Sequence, residues 1–138
     1  TDLSFERNIH ILIEDMRKRY GYIPTPHITY EIEDKLDEQT AYMFYRTIQE
    51  LLNNTCKYAQ ADHIWIHLYT AEGWILDIRE DGEPIKPEDM EIKIKHLGIS
   101  SLKKQANSLG GTFEMMQGDQ LKTFKLMLPR RLHENTAD

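Results

Sequence analysis

Apolar residues recur at helical spacing from the start of the chain. In LSFERNIHILIEDMRKRY (3–20), Leu3, Ile9, Leu12, Ile13 and Met16 fall on one side, and Gly21 stands where a helix commonly ends. Pro24 and Pro26 then mark a turn, and HITYEIE (27–33) alternates Ile28, Tyr30 and Ile32 with polar residues, which predicts a half-buried strand. Asp37 suits the N-cap of a long second helix running to about Ala59. Its core side is expected to carry Ala41, Tyr45, Ile48, Leu52, Thr55, Cys56 and Ala59. Residues 61–79 read as a hairpin, IWIHLY and WILDIR joined by TAEG. The stretch 80–97, with two prolines, a glycine and dense charge, predicts a long loop of functional or mobile type. Helical spacing returns through Ile99, Leu102, Ala106 and Leu109 and stops at Gly110 and Gly111. Strands at 112–116 and 123–129 complete the pattern, and the polar tail beyond Pro129 is expected to fray. The order predicts an α/β protein, a two-layer sandwich of about three helices on one face of a mixed five-stranded sheet.

Composition narrows this picture to one domain over residues 1–138, with its core at about 3–129 and a flexible tail at 130–138. Of the 138 residues, 40% are hydrophobic, enough for a single core. A net charge of -6 with no basic run argues against nucleic acid as a partner and against contact of this segment with an anionic membrane. One cysteine, Cys56, excludes an internal disulfide and a thiolate zinc cage, and reads as a small buried hydrophobe. No apolar run reaches the roughly 20 residues of a membrane span, and no signal peptide is visible at the start. The expected setting is cytoplasmic, including that of the cytoplasmic part of a membrane-bound sensor.

Candidate chemistry lies on the second helix, in QELLNNTCKYAQA (49–61). At about 100° per residue, Glu50, Asn54 and Lys57 make one polar stripe. An amide oxygen is a hard ligand for Mg²⁺, an ammonium neutralises phosphate, and a carboxylate orients or deprotonates a nucleophile. Read alone, the same stripe is equally the solvated side of a surface helix. His63 and His67, flanking Trp65 on one strand face beside Asp62, leave a zinc site or an exposed polar face open. His10 lacks the acidic neighbour of a phosphoacceptor histidine and reads as a surface residue. For Met115 and Met116, a core position accounts for one of the two.

The order of these features resembles the ATP-binding catalytic domain of sensor histidine kinases, in the wider GHKL family shared with gyrase, the Hsp90 chaperones and MutL. QELLNNTCKYAQA is similar to its N box, in the form of the subfamily that partners helix-turn-helix response regulators. IREDGEPI (78–85) sits at the G1 box, LGISSLKKQANSLGG (97–111) at the G2 box and its helix, and TFKLMLP (123–129) at the closing strand. The resemblance implies a Bergerat-type fold with a cleft between the long helix and the loop 83–97. It implies Mg²⁺ on Asn54, a polarising or base role for Glu50, phosphate on Lys57 and the nucleoside on Tyr58. Glu80, Gly82, Ile85, Gly98, Ile99, Leu102 and Thr123 complete the implied ATP site. It further implies a histidine kinase in a two-component phosphorelay, whose partners are nucleotide, a dimerisation domain bearing the phosphoacceptor histidine, and a response regulator.

The match departs from the family on the nucleotide side. Where the G1 box is usually Asp-x-Gly-x-Gly, this chain has Glu80, Asp81, Gly82, Glu83 and Pro84. Glutamate keeps the acceptor that meets the adenine amino group, whereas Pro84 removes a backbone donor and fixes φ. His96, Leu97 and Gly98 replace Gly-x-Gly in the G2 box, and Gln120, Leu121 and Lys122 replace glycines before Thr123. The alternative function is therefore a degenerate kinase-like interaction module with weak or absent ATP binding. A serine kinase of anti-sigma type, or another ATPase of the superfamily, is the third.

Overall fold

Helix α1 (Leu3–Tyr20) forms where the spacing predicts it and buries Phe5, Ile9, Leu12, Ile13 and Met16, with Arg17, Lys18 and Arg19 in its last turn complementing the helix dipole. The computed structural model describes residues 3–130, with the Leu3 side chain and the expected tail past Arg130 outside that description. Arg130 itself is held: its guanidinium lies 4.6 Å from the Trp74 ring centroid and pairs with Asp34.

Strand β1 (Thr25–Tyr30) starts and ends earlier than the expected 27–33 and includes Pro26. Proline is tolerated there because β1 is an edge strand, in the sheet order β1-β2-β3-β5-β4. Helix α2 (Glu38–Asn54) begins at Asp37, whose carboxylate accepts the Thr40 N–H at 2.7 Å. Its buried face is broader than expected. Met43, Phe44, Thr47 and Leu51 are buried with Ile48 and Leu52, while Ala41, Tyr45 and Cys56 are only half-buried. The helix packs against both α1 and the sheet, so its apolar arc must serve two neighbours.

The hairpin β2 (His63–Thr70) and β3 (Gly73–Glu80) closes as predicted. The expected loop at 80–97 instead contains a 3₁₀ turn at Pro87–Asp89 and a short helix α3 (Met90–His96), so the described residues form four α-helices. Pro87 opens this segment, where its missing N–H costs nothing, and Met90, Ile94 and Leu97 give it an inward side. Helix α4 (Ile99–Ser108) and strands β4 (Thr112–Gln117) and β5 (Lys122–Pro129) follow. β1 runs parallel to β2, and the remaining pairs are antiparallel, which makes the sheet mixed as expected.

The helices cover the sheet face that carries Ile64, Ile66, Leu68, Leu76, Ile78, Phe124 and Leu126, all in one buried cluster. One consequence of the register positions the site. The last residue of β3, Glu80, is paired across the sheet with the first residue of β5, Lys122.

Candidate functional site

The two adjacent amides that end α2 each tie that helix to another element. Asn53 accepts a hydrogen bond from the Tyr20 hydroxyl of α1. Asn54 donates from Nδ2 to the Leu97 carbonyl, 2.7 Å away, at the end of α3. Beyond them the chain widens into one π-helical turn, Thr55–Ala59, and leaves it at Gln60 with φ of 54°. Such turns are frequent at functional sites because they displace the residues that follow from the regular helical face. Here the turn pushes the Ala59 carbonyl against the exit of β3, where it accepts the Glu83 N–H at 2.8 Å. A Cβ on Gly82 would stand 2.3 Å from that carbonyl oxygen, so only glycine fits.

Between this turn, the β3 exit, α3 and β5 lies a cavity of about 220 Å³. Leu51, Ile85, Leu97, Ile99 and Phe124 supply apolar lining, and Asn54 and Tyr58 bring it polar edges. Its most buried charged groups are Glu80, 3% exposed, and Lys122, 5% exposed. Lys122 Nζ lies 3.2 Å from Glu80 Oε2 and also donates to the Glu83 carbonyl. Glu80 Oε1 accepts the Gly82 N–H at 2.7 Å. The loop that follows is fixed by Gln117 of β4, whose amide takes the Ile85 N–H at 2.8 Å and donates to the Ile85 carbonyl at 2.9 Å. Gln117 thereby does for the loop what a neighbouring strand would do. At the rim, Tyr58 faces the His96 ring edge at 6.0 Å, and the Lys93 ammonium lies 5.8 Å from its ring centroid.

Of the residues singled out in the sequence, Asn54, Tyr58, Glu80, Ile85 and Ile99 line this cavity, and Gly82 packs at its edge. Glu50 and Lys57 do not, contrary to the expectation that one helical edge looks into one hollow. They share with Arg19 and Tyr20 a shallower depression between α1 and α2. Two features separate them from Asn54: the π turn displaces Lys57, and Gly98 lies against Glu50, a Cβ there falling 3.2 Å from Oε2. Gly98 has φ of 78° and starts α4. Leu102 is a core residue, 2% exposed, and does not reach the cavity. Thr123 is also misplaced by the sequence reading. Strand alternation sends Lys122 and Phe124 into the cavity and Thr123 to the opposite sheet face. Lys122, Lys93 and Gln117 were missed as site residues. Lys122 stood out only where glycine was expected, and nothing in one sequence signals that a lysine is buried.

The other candidates resolve simply. His63 accompanies His27, ring nitrogens 2.9 Å apart, and His67 pairs with Glu31. Among the described residues no group of three or more His, Cys, Asp or Glu is placed to hold a metal. His10 is exposed, Met115 packs on the core, and Met116 is exposed. No described helix is long and apolar enough to cross a membrane. Burial pushes the half-buried Cys56 thiol up from 9.0 to about 11. Alkylation by iodoacetamide at pH 8 is therefore expected to be roughly a hundredfold slower in the native chain than in urea, since the thiolate is the nucleophile. The native rate should climb as pH rises from 9.0 towards about 11. Equal native and unfolded rates at pH 8 would show the thiol to be open to solvent.

Residues 40–132 match the family described as histidine kinase-, DNA gyrase B-, and HSP90-like ATPase. The chain is 27% identical over 101 residues to the sensor histidine kinase YdfH of Bacillus subtilis, covering 69% of this chain and 25% of that protein. It is 27% identical over 112 residues to the oxygen sensor histidine kinase NreB of Staphylococcus carnosus, covering 80% and 32%. The chain thus spans a quarter to a third of these curated relatives. In fold it is similar to the Acinetobacter baumannii histidine kinase AdeS, with a TM-score of 0.66 at 17% identity over 90% of this chain and 66% of that one. It is likewise similar to the mycobacterial sensor histidine kinase MprB, with a TM-score of 0.64 at 18% identity over 89% and 93%. The family match spans well over half of the sequence and carries both α2 and the residues around the cavity, and the chain belongs to the histidine kinase-, DNA gyrase B-, and HSP90-like ATPase family.

Proposed function

We propose that residues 1–138 are the single ATP-binding catalytic domain of a two-component sensor histidine kinase, which presents the γ-phosphate to a histidine on a separate dimerisation domain. The observation that carries this reading is the cavity itself: an apolar slot with a buried carboxylate inside and the Asn54 amide at its edge. Glu80 would accept from the base, Ile85 and Ile99 would sandwich it, and Tyr58 would meet the nucleoside. Asn54 suits magnesium. Its nitrogen is committed to the Leu97 carbonyl, which would leave the amide oxygen, a hard ligand, for a cation. Mg²⁺ keeps most of its waters and takes phosphate oxygens from the nucleotide, so one protein oxygen suffices. When bound, it would neutralise charge on the β- and γ-phosphates.

In the transfer step the histidine nitrogen attacks phosphorus, the N–P bond forms as the bond to the β-γ bridging oxygen breaks, and ADP leaves. Glu50 would take the proton from the imidazole, and Lys57 would offset phosphate charge. Both stand beyond the strap Leu97–Gly98, which touches Asn54 on one side and Glu50 on the other. The cavity's 220 Å³ is less than the roughly 300 Å³ at which small-molecule sites begin, so a nucleotide would extend past its mouth or displace the strap. The phosphorylated histidine would then serve a response regulator, and the domain would work in the cytoplasm.

The same closed strap favours a second reading, a docking module in which Asn54 and Glu80 are spent on internal bonds. A thermal melt with a non-hydrolysable ATP analogue and Mg²⁺ separates the two. Saturation at a hundredfold excess over Kd stabilises by about 2.7 kcal/mol. For a chain of this size that raises Tm by about 10 °C. No shift at millimolar nucleotide would overturn the kinase reading and leave the docking module.

A further inference from the structure

The pair Glu80–Lys122 bears on which nucleotide the cavity selects, and this step rests on the nucleotide reading above. A lone carboxylate offers acceptors only, so it pairs with the amino group of a 6-aminopurine and repels the oxygen of a 6-oxopurine. The cavity differs from that case because a donor is built in beside the acceptor. Lys122 has three N–H groups, of which one is given to Glu83 O, and its ammonium is ion-paired with Glu80 Oε2. Glu80 accepts the Gly82 N–H on Oε1 and is ion-paired with Lys122 through Oε2, so each carboxylate oxygen keeps acceptor capacity. The lysine side chain is 6% exposed and its partner's 3%, so neither group is free to swing into solvent. The strand register holds them as cross-strand neighbours.

Adenine presents an amino donor next to the N1 acceptor, and guanine presents the O6 acceptor next to the N1–H donor. A fixed donor and acceptor 3.2 Å apart serve either order, once the base is turned over in the slot lined by Ile85 and Ile99 so that the two edge positions exchange partners. We infer that Lys122 is a specificity-determining residue that opens this cavity to 6-oxopurine as well as 6-aminopurine nucleotides.

Calorimetric titration of the chain with Mg-ADP, Mg-GDP and Mg-IDP tests this. The three dissociation constants are expected to agree within about tenfold, whereas a site that cannot satisfy the oxo group should reject it by about a hundredfold or more. IDP carries the oxo edge without the 2-amino group and should follow GDP. Lys122→Met keeps side-chain length without the donor and should weaken GDP and IDP at least about tenfold relative to ADP. The wild-type ratios decide the matter even if that variant does not fold. ADP binding with GDP and IDP about a hundredfold weaker would overturn the inference and leave the nucleotide reading standing. A Lys122→Met variant that weakens all three alike would also overturn it. Binding of none would remove both.

Discussion

Asn54→Ala is expected to abolish the magnesium-dependent part of nucleotide binding, lowering affinity for Mg-bound ATP analogue by about a hundredfold, since one metal-phosphate contact contributes several kcal/mol. Affinity measured in EDTA should change little. Alanine also removes a bond seen in the structure, the one by which the amide nitrogen holds Leu97, along with the oxygen proposed for the cation. Asn54→Asp separates them. An aspartate retains an oxygen ligand but has no hydrogen to give the Leu97 carbonyl. Its magnesium dependence should persist while the strap loosens, seen as faster hydrogen exchange at the amides of residues 97–102. Wild-type magnesium dependence in the alanine variant would remove Asn54 from the metal.

Glu80→Ala should be the most destabilising single change in the site. It leaves the Lys122 ammonium, 6% exposed, without its counter-charge. Breaking a buried pair from one side costs about 3–5 kcal/mol, because the remaining charge must be desolvated alone or water must be admitted. Urea denaturation should show this as a lower midpoint at nearly unchanged slope. Replacing the pair together, Glu80→Leu with Lys122→Met, should recover most of the loss, since apolar groups of similar size often do as well as a buried ion pair. A cost below about 1 kcal/mol for Glu80→Ala would mean that the pair is solvated, like a surface ion pair.

Much of the scaffold was legible because its elements obey local rules. The 3.6-residue spacing of α1, the Asp37 cap, the hairpin and the helix ending at Gly110 and Gly111 are written in single stretches of chain. Helix α3 was not, since two prolines and dense charge masked an inward side carried only by Met90, Ile94 and Leu97. In the site, the motif singled out Asn54, and the structure places it on the cavity wall. Lys122 and Thr123 show why the rest was hidden. Which of two neighbouring strand residues faces the cavity depends on pairing with β3, a non-local fact. The apparent losses in the G1 box are similarly incomplete without tertiary contacts. Gln117 anchors the loop that lacks its second glycine, and it lies 32 positions away.

In the proposed site, Asn54 would give the strap and a bound cation a common side chain. Thermodynamic reciprocity would then link the two: a ligand that displaces the strap must change the hold on nucleotide by the same factor by which nucleotide changes the hold on that ligand. Discharge of spent nucleotide is thereby a property that a neighbour could govern from outside the cavity, without ever entering it.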